Sequence, residues 1–427
     1  MDVTRRLLRA VAARPRVLLV TLPGGTAVRL AAERHLRLRD WPVAATPAEA
    51  DLLVVAGPDR PETRPPLTRL WRDMAAPRAR VHAPTVDDVE RALNDGRTRL
   101  GSPTDADADA GHPERAGREE HGGRNQALGG GHDAHGAHGV DHGDGGGGHG
   151  DGGGGHGDDG MEMPGGLPMA ERGEDRDGLT LDRLHVPLGP FLVDWPSGLT
   201  VRLVLQGDVI QQADLAEPTG HAGEAPAPFW AEPWLRAEAG EAVTVGEAAR
   251  RRSAAHLDSL GRLLAVAGLP AEAVAARRLR DDLLAGAATA AYAPGLARFA
   301  HRVGRSRTLA WLTRGIGGLD TEEAREAGVS GPAARAGGDV TDRYRQWLTD
   351  LLGDVGRLDE PALLEPDVQE SPRGHWRTGH PPSAALVALL PRLLTGTELA
   401  AARLVVAGLD PDLDELAARR REVPVRA

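Results

Sequence analysis

Residues 101–178 set the limits on how this chain can fold. Asp, Gly and His dominate the stretch, with four-glycine runs at 145–148 and 152–155 and no apolar periodicity. Such a segment cannot bury enough apolar area to offset the entropy of ordering it. It reads as a disordered His/Gly/Asp-rich linker. It divides the 427-residue chain into a short segment, 1–100, and a long one, 179–427. With 41% hydrophobic and 26% charged residues overall, both segments have the means to build a core.

What the chain lacks narrows its chemistry. There is no Cys, and all 51 basic residues are Arg. The first absence excludes a disulfide framework, a cysteine-ligated zinc site, a thiol nucleophile and cysteine-held iron–sulfur clusters. The second excludes a phosphate-loop lysine and a Schiff base. A net charge of −11 argues against nucleic acid as a partner. No run reaches the roughly 18 apolar residues of a membrane span. Arg5-Arg6 precedes an apolar stretch, 17–22, that is too short for a signal core and reads as a strand. The expected location is the cytoplasm, or the periphery of the inner face of the cell membrane.

In the short segment, apolar runs at 16–20, 51–56 and 79–83 read as strands. Helices are expected at 26–35, at 65–74 with Leu67, Leu70, Trp71 and Met74 on one face, and at 86–93, capped by Thr85 and ended by Asn94-Asp95-Gly96. Short apolar strands joined by helices predict a small parallel-sheet α/β domain. In the long segment, 200–205 and 209–213 flank Gly207-Asp208 and predict a hairpin. Beyond 244 the spacing is helical. Thr244 with Glu247 reads as a capping box, Pro270 opens a helix to Leu284, Asp320 and Asp339 cap two more, and Pro382-Ser383 opens a last long helix over 384–394, broken at Gly396. The predicted fold class is therefore α/β plus α+β: the parallel-sheet domain, the linker, then a β-hairpin or small sheet on a mainly helical bundle.

The linker histidines carry the most visible chemistry. His132, His135, His138 and His142 are spaced by two or three residues, and His149 and His156 repeat in a Gly-Gly-His-Gly-Asp unit. Imidazole beside carboxylate suits Ni, Zn or Cu, bound weakly because no scaffold holds the ligands. The plainer alternative is a low-complexity spacer with incidental histidines. Pro23-Gly24-Gly25-Thr26 lacks the glycine spacing of a phosphate loop and reads as a strand-to-helix turn. His256, His301, Arg305 and Arg307 read as structural residues or solvated faces.

One ordered series in the long segment is more specific. Arg307-Thr308, Gly315-Ile316-Gly317, Glu323-Ala324, Gly328 to Pro332 with its Ser-Gly-Pro turn, and Arg335-Ala336-Gly337-Gly338-Asp339 follow one another. Glu370-Ser371-Pro372-Arg373-Gly374, Pro382-Ser383 and Leu409-Asp410 come after, and Gly189-Pro190 with the 199–208 hairpin comes before. The series resembles the D-type component of NADH-quinone oxidoreductase (respiratory complex I), kin to the large subunit of NiFe hydrogenases. Residues 46–57 together with Pro66-Leu67, Leu70, Met74 and Pro77-Arg78 are similar to the B-type component of the same complex, kin to the hydrogenase small subunit. The resemblance implies a B–D fusion: 1–100 B-like, 101–178 linker, 179–427 D-like. On that reading Arg307, Thr308, Gly331, Pro332, Arg335, Pro372, Arg373 and Gly374 are structural family motif residues.

The departures shape the expected function. The B-type component holds a [4Fe–4S] cluster with four thiolates; here its cysteine positions read Pro23-Gly24-Gly25-Thr26 and Pro84-Thr85. Hydrogenases carry an Asp-Pro-Cys-x-x-Cys ending; here it reads Asp410-Pro411-Asp412-Leu413-Asp414. The His-Pro-x-x-His-Gly quinone hairpin of the D-type component is here 192–198, without histidine. The resemblance therefore implies no catalytic residue, no Fe-S and no NiFe cofactor. It implies an accessory or assembly subunit whose partners are other subunits of a complex I-like or hydrogenase-like assembly. Two alternatives stand beside it: Ni/Cu/Zn storage or delivery through the linker, and an oxidoreductase subunit with quinone- or NAD-linked activity only inside a complex. If the histidine tract is a metal site, deletion of 130–160 will weaken Ni(II) and Zn(II) binding at least about tenfold by calorimetric titration; equal affinity in the deleted protein removes the tract from consideration.

Overall fold

The structure is a computed structural model that describes residues 11–101, 171–174, 180–217, 227–376 and 380–419. In the short segment three strands, β1 (Val17–Thr21), β2 (Leu52–Ala56) and β3 (Ala79–Ala83), form a parallel sheet in the order β1-β2-β3. Strand side chains alternate between faces. Val17, Leu52, Val54 and Val81 meet α1 (Thr26–Leu38) and α3 (Val89–Gly101) on one face. Leu18, Val20, Leu53 and Val55 meet Leu67 of α2 (Arg64–Arg72) and Met74 on the other. With both faces covered, the strands can be apolar throughout, which is why they are legible as plain runs of Val and Leu.

The third helix departs from expectation. Thr85 and Asp88 form a capping box on a short 3-10 turn, and α3 then runs through Asn94-Asp95-Gly96 to Gly101. Gly96 does not end it. A Cβ there would sit 2.6 Å from Leu52 Cδ1, so this glycine lets the helix approach the sheet.

In the long segment eleven helices are described: α4 (Glu232–Glu238), α5 (Val245–Val266), α6 (Pro270–Leu284), α7 (Thr289–Gly304), α8 (Arg307–Thr313), α9 (Thr321–Glu326), α10 (Gly331–Ala336), α11 (Val340–Val355), α12 (Pro382–Leu394), α13 (Leu399–Leu409) and α14 (Leu413–Arg419). The predicted last helix, α12, is followed by two more. Gly396 breaks the chain as expected, but the turn it makes covers the edge of the sheet, with Gly396 N–H donating to Ile210 O at 2.7 Å and Ile210 N–H to Thr397 O at 2.9 Å. A covered edge is closed to foreign strands. Thr244 accepts from Glu247 N–H at 3.1 Å, one half of the predicted box.

β4 (Glu171–Glu174), β5 (Thr180–Leu188), β6 (Val201–Gln206) and β7 (Val209–Leu215) make an antiparallel sheet in sequence order. The predicted hairpin is β6–β7, turning at Gly207 with φ +62°. Its apolar side chains, Val201, Leu203, Leu205 and Ile210, pack with Leu386, Leu390 and Leu394 of α12 and Val405 and Val406 of α13. α5 runs through the middle of the helical body, where Leu257, Leu260, Leu263 and Leu264 meet Leu283, Leu296, Phe299, Tyr344 and Leu351. The architecture is the one expected: an α/β parallel-sheet unit, and a small antiparallel sheet on a mainly helical body.

Candidate functional site

The parallel-sheet unit and the helical body meet across a set of buried charges, beside apolar contacts of Leu30 with Trp230, Ala254 and Ala255. Asp258 of α5 is 2% exposed and has three guanidinium groups around it. Arg29 of α1 grips it with two bonds of 3.1 and 2.8 Å, Arg280 of α6 donates at 2.6 Å, and Arg262 donates at 3.0 Å. Glu33, one turn after Arg29, accepts from Arg29 and Arg280, each at 2.8 Å. Arg280, 0% exposed, also reaches Asp281, which pairs with Arg37 of α1. Burial alone would raise the proton affinity of Asp258, but Arg29, Arg262 and Arg280 overcome it and hold this carboxyl well below the usual range. Glu33 is held down to about 2 in the same way, Arg29 and Arg280 outweighing burial.

A second junction lies at the C-terminal end. Gly24 N–H donates to Asp414 Oδ1 at 2.7 Å, and Thr26 Oγ1 donates to Asp414 Oδ2 at 3.3 Å. The Gly24-Gly25 turn is the strand-to-helix turn expected. Its glycine is forced: a Cβ at Gly25 would lie 2.4 Å from Ala56 O. The turn's amide and hydroxyl thus address a carboxylate of the same chain. Asp410, in the left-handed conformation at φ +47°, accepts from Ser259 Oγ, Arg262 and Arg373, with Arg262 at 2.9 Å.

The loop 189–199 closes the third side. A Cβ on Gly189 would fall 1.9 Å from Leu199 O, so only glycine allows the loop to shut on itself. Trp195 Nε1 donates to Leu199 O at 2.9 Å, Ser197 Oγ to Thr21 O of β1 at 2.7 Å, and Arg277 of α6 pairs with Asp194 at 2.5 Å. Between this loop, the end of β1 and residues 411–414 is a cavity of about 340 Å³. Phe191, Trp195 and Trp230 supply apolar wall, and Thr26, Asp412 and Asp414 supply polar wall. Burial, then the neighbouring Asp414, pushes Asp412 up to about 7. Burial and then Asp412 push the adjacent Glu415 up to about 8. Asp414 is raised by burial against the pull of Gly24 N–H and Thr26.

The motif residues divide into two groups. Gly331, Pro332, Pro372, Arg373 and Gly374 come together: a Cβ on Gly331 would meet Arg373 O at 2.6 Å, and one on Gly374 would meet Ser330 Oγ at 2.2 Å, so the two turns interlock. Arg373 leads from them to Asp410. Arg335 joins them through Glu370, the first residue of the same turn, and also pairs with Asp350 at 2.7 Å, while Arg307 and Thr308 are exposed elsewhere. His301, Arg305 and Arg307 are solvated, whereas His256 is buried with Nε2 unpartnered among the described residues and is held neutral by burial and then by Arg252 and Arg373. His132, His135, His138, His142, His149 and His156 lie outside the described residues. Among the described residues no group of three or more His, Asp or Glu is set to hold a metal ion.

The residues present do not fit an iron–sulfur cluster. The positions where the resemblance expects thiolates hold Gly24 and Thr26, engaged with Asp414, and Thr85, whose hydroxyl donates to Asp88 at 2.6 Å. Sequence reading missed Arg29, Glu33, Asp258 and Arg280, and met Asp414 only as part of the 410–414 ending; the one signal for the rest was an i, i+4 Arg–Glu pair on α1, and such pairs are common on solvated helices.

No protein-family model matches the chain, and no curated protein matches it. One similar solved chain comes from the membrane-bound sulfane sulfur reductase (MBS), an archaeal respiratory membrane complex, at 16% identity and a TM-score of 0.40, covering 55% of this chain and 98% of that one. A likeness of that degree carries no argument about fold or activity.

The raised acids give the molecule a pH signature. Asp412 and Glu415 bind protons more tightly folded than unfolded, so their contribution favours the fold at low pH and weakens as pH climbs from about 4 toward 7 and 8. Glu33 and Asp258 act oppositely, stabilising at neutral pH and losing that contribution as pH falls below about 4. Glu415→Gln keeps an acceptor for Ser383 N–H, now at 3.0 Å. It will raise the melting temperature at pH 8 by about 2 °C or more and leave it unchanged at pH 5; an equal shift at both pH values contradicts the assignment.

Proposed function

We propose that this chain is a cofactor-free structural subunit, acting as an accessory or assembly component of a complex I-like or hydrogenase-like assembly. One observation supports the reading above the rest. The loops that would carry redox ligands in the resembling families serve here as internal clips. The 23–26 turn is held by Asp414, and Asp410 is held by Ser259, Arg262 and Arg373. Bonded across the junction in this way, these groups tie the two segments together, and losing one would open it. The surfaces that remain are those of a scaffold.

The cavity favours a second reading. A volume of about 340 Å³ with aromatic wall and a polar side of four carboxyls and three guanidinium groups is in the range of small-molecule pockets, and suits an amphipathic ligand of the quinone class bound within a larger complex.

Affinity purification of the intact protein under mild conditions separates these readings. The structural-subunit reading expects no stoichiometric iron, no visible iron–sulfur absorbance, co-isolation of respiratory subunits, and fewer assembled complexes with unchanged turnover per complex when the gene is removed. Stoichiometric iron would overturn it. Normal assembly with quinone-dependent NADH oxidation abolished by Ala45→Trp at the cavity wall would favour the ligand reading instead.

A further inference from the structure

Residues 283–319 contain no Asp and no Glu in a chain with 62 of them, yet they hold Arg298, Arg302, Arg305, Arg307 and Arg314. These arginines lie along two consecutive helices that meet at Ser306, and every one of them is exposed. On α7 and its C-cap, Arg298, Arg302 and Arg305 follow at helical spacings of four and three residues, and all three are exposed. On α8 and its C-cap, Arg307, Trp311 and Arg314 repeat the same spacing. Trp311 is 79% exposed, the most open large hydrophobic side chain among those described. Its neighbours Leu309, Ala310 and Thr313 are buried, so α8 is anchored from beneath while the indole stands out.

Nearby acids do not neutralise this surface. Glu272 is 4.0 Å from Arg302, a loose approach. Asp339, which accepts Gly315 N–H at 2.6 Å, is occupied in capping α11. Among the described residues Arg298, Arg305, Arg307 and Arg314 form no ion pair with a carboxylate.

We propose that the end of α7 and the exposed face of α8 dock on an anionic lipid surface, with Trp311 entering the headgroup layer and the five arginines meeting phosphates. An indole has an apolar body and one N–H, which suits the boundary between headgroups and chains. Guanidinium groups pair with phosphate in a fixed fork geometry. An acidic protein partner would be expected to cover a wider apolar patch than a single ring. The net charge of −11 does not forbid the contact, because at physiological salt the field of distant acids fades over about 8 Å. No helix among the described residues is long and apolar enough to cross a membrane, so this contact is interfacial. The inference does not depend on the function proposed above.

Co-sedimentation of the full chain with vesicles tests it. Binding is expected to equimolar phosphatidylglycerol–phosphatidylcholine vesicles and not to pure phosphatidylcholine, and to fall steeply as salt rises. Trp311→Ala should weaken it about fivefold or more, and Arg305→Ser with Arg307→Ser should weaken it and flatten the salt dependence. These side chains are exposed, and an unchanged thermal melt will show that the variants stay folded. Absence of binding to anionic vesicles at low salt, or equal binding by Trp311→Ala, overturns the proposal. So does Trp311-dependent capture of polyglutamate without vesicle binding, which would assign the face to an acidic polypeptide.

Discussion

Asp258 sits in a buried junction with guanidinium groups from three directions, and the relation between the two halves of the chain depends on it. Arg29 comes from the parallel-sheet unit, Arg262 from Asp258's own helix, and Arg280 from the next one. Three cations around one carboxylate would repel, and Glu33, Asp281 and Asp410 balance them. Removing one member of such a set leaves the others buried and uncompensated, at a cost of about 3–5 kcal/mol for a single partner. The network therefore acts less as a source of net stability than as a specification: one seating of α1 against α5 and α6 satisfies every charge in it, and a displaced seating does not.

The cavity follows from that seating. Asp414 clips the turn after β1, Ser197 ties the 189–199 loop to β1, and Arg277 holds Asp194. Three rigid edges are thus fixed around a space that no side chain fills. Asp412 in its wall and the adjacent Glu415 keep their protons because burial and the repulsion of a neighbouring carboxyl outweigh the pull of Arg373.

Much of the fold was legible in the sequence because its signals are local. The strands at 17–21, 52–56 and 79–83 are short apolar runs, and Pro270, Asp320, Asp339 and Pro382 mark helix starts where the structure has them. The errors occur where a local signal serves a distant contact. Gly96 reads as a stop signal, but it is a packing position against Leu52. Gly396 ends α12, but its turn also covers the edge strand β7, and two helices follow. The junction was not legible at all. Arg29 and Asp258 are 229 residues apart, and Gly24 and Asp414 are 390 apart, so no spacing rule connects them. Arginines and acids are too numerous in this chain for composition to single out the buried ones.

The claim that buried ion pairing sets the arrangement of the two units is tested most directly by a double-mutant cycle on Arg29 and Asp258, using Arg29→Met and Asp258→Leu and reading stability by reversible denaturation. The account predicts a coupling energy of about 2 kcal/mol or more between the two positions, with the double variant more stable than the sum of the single losses. Additive losses with coupling near zero would contradict it, because the two side chains would then not be sensing one another in the folded protein.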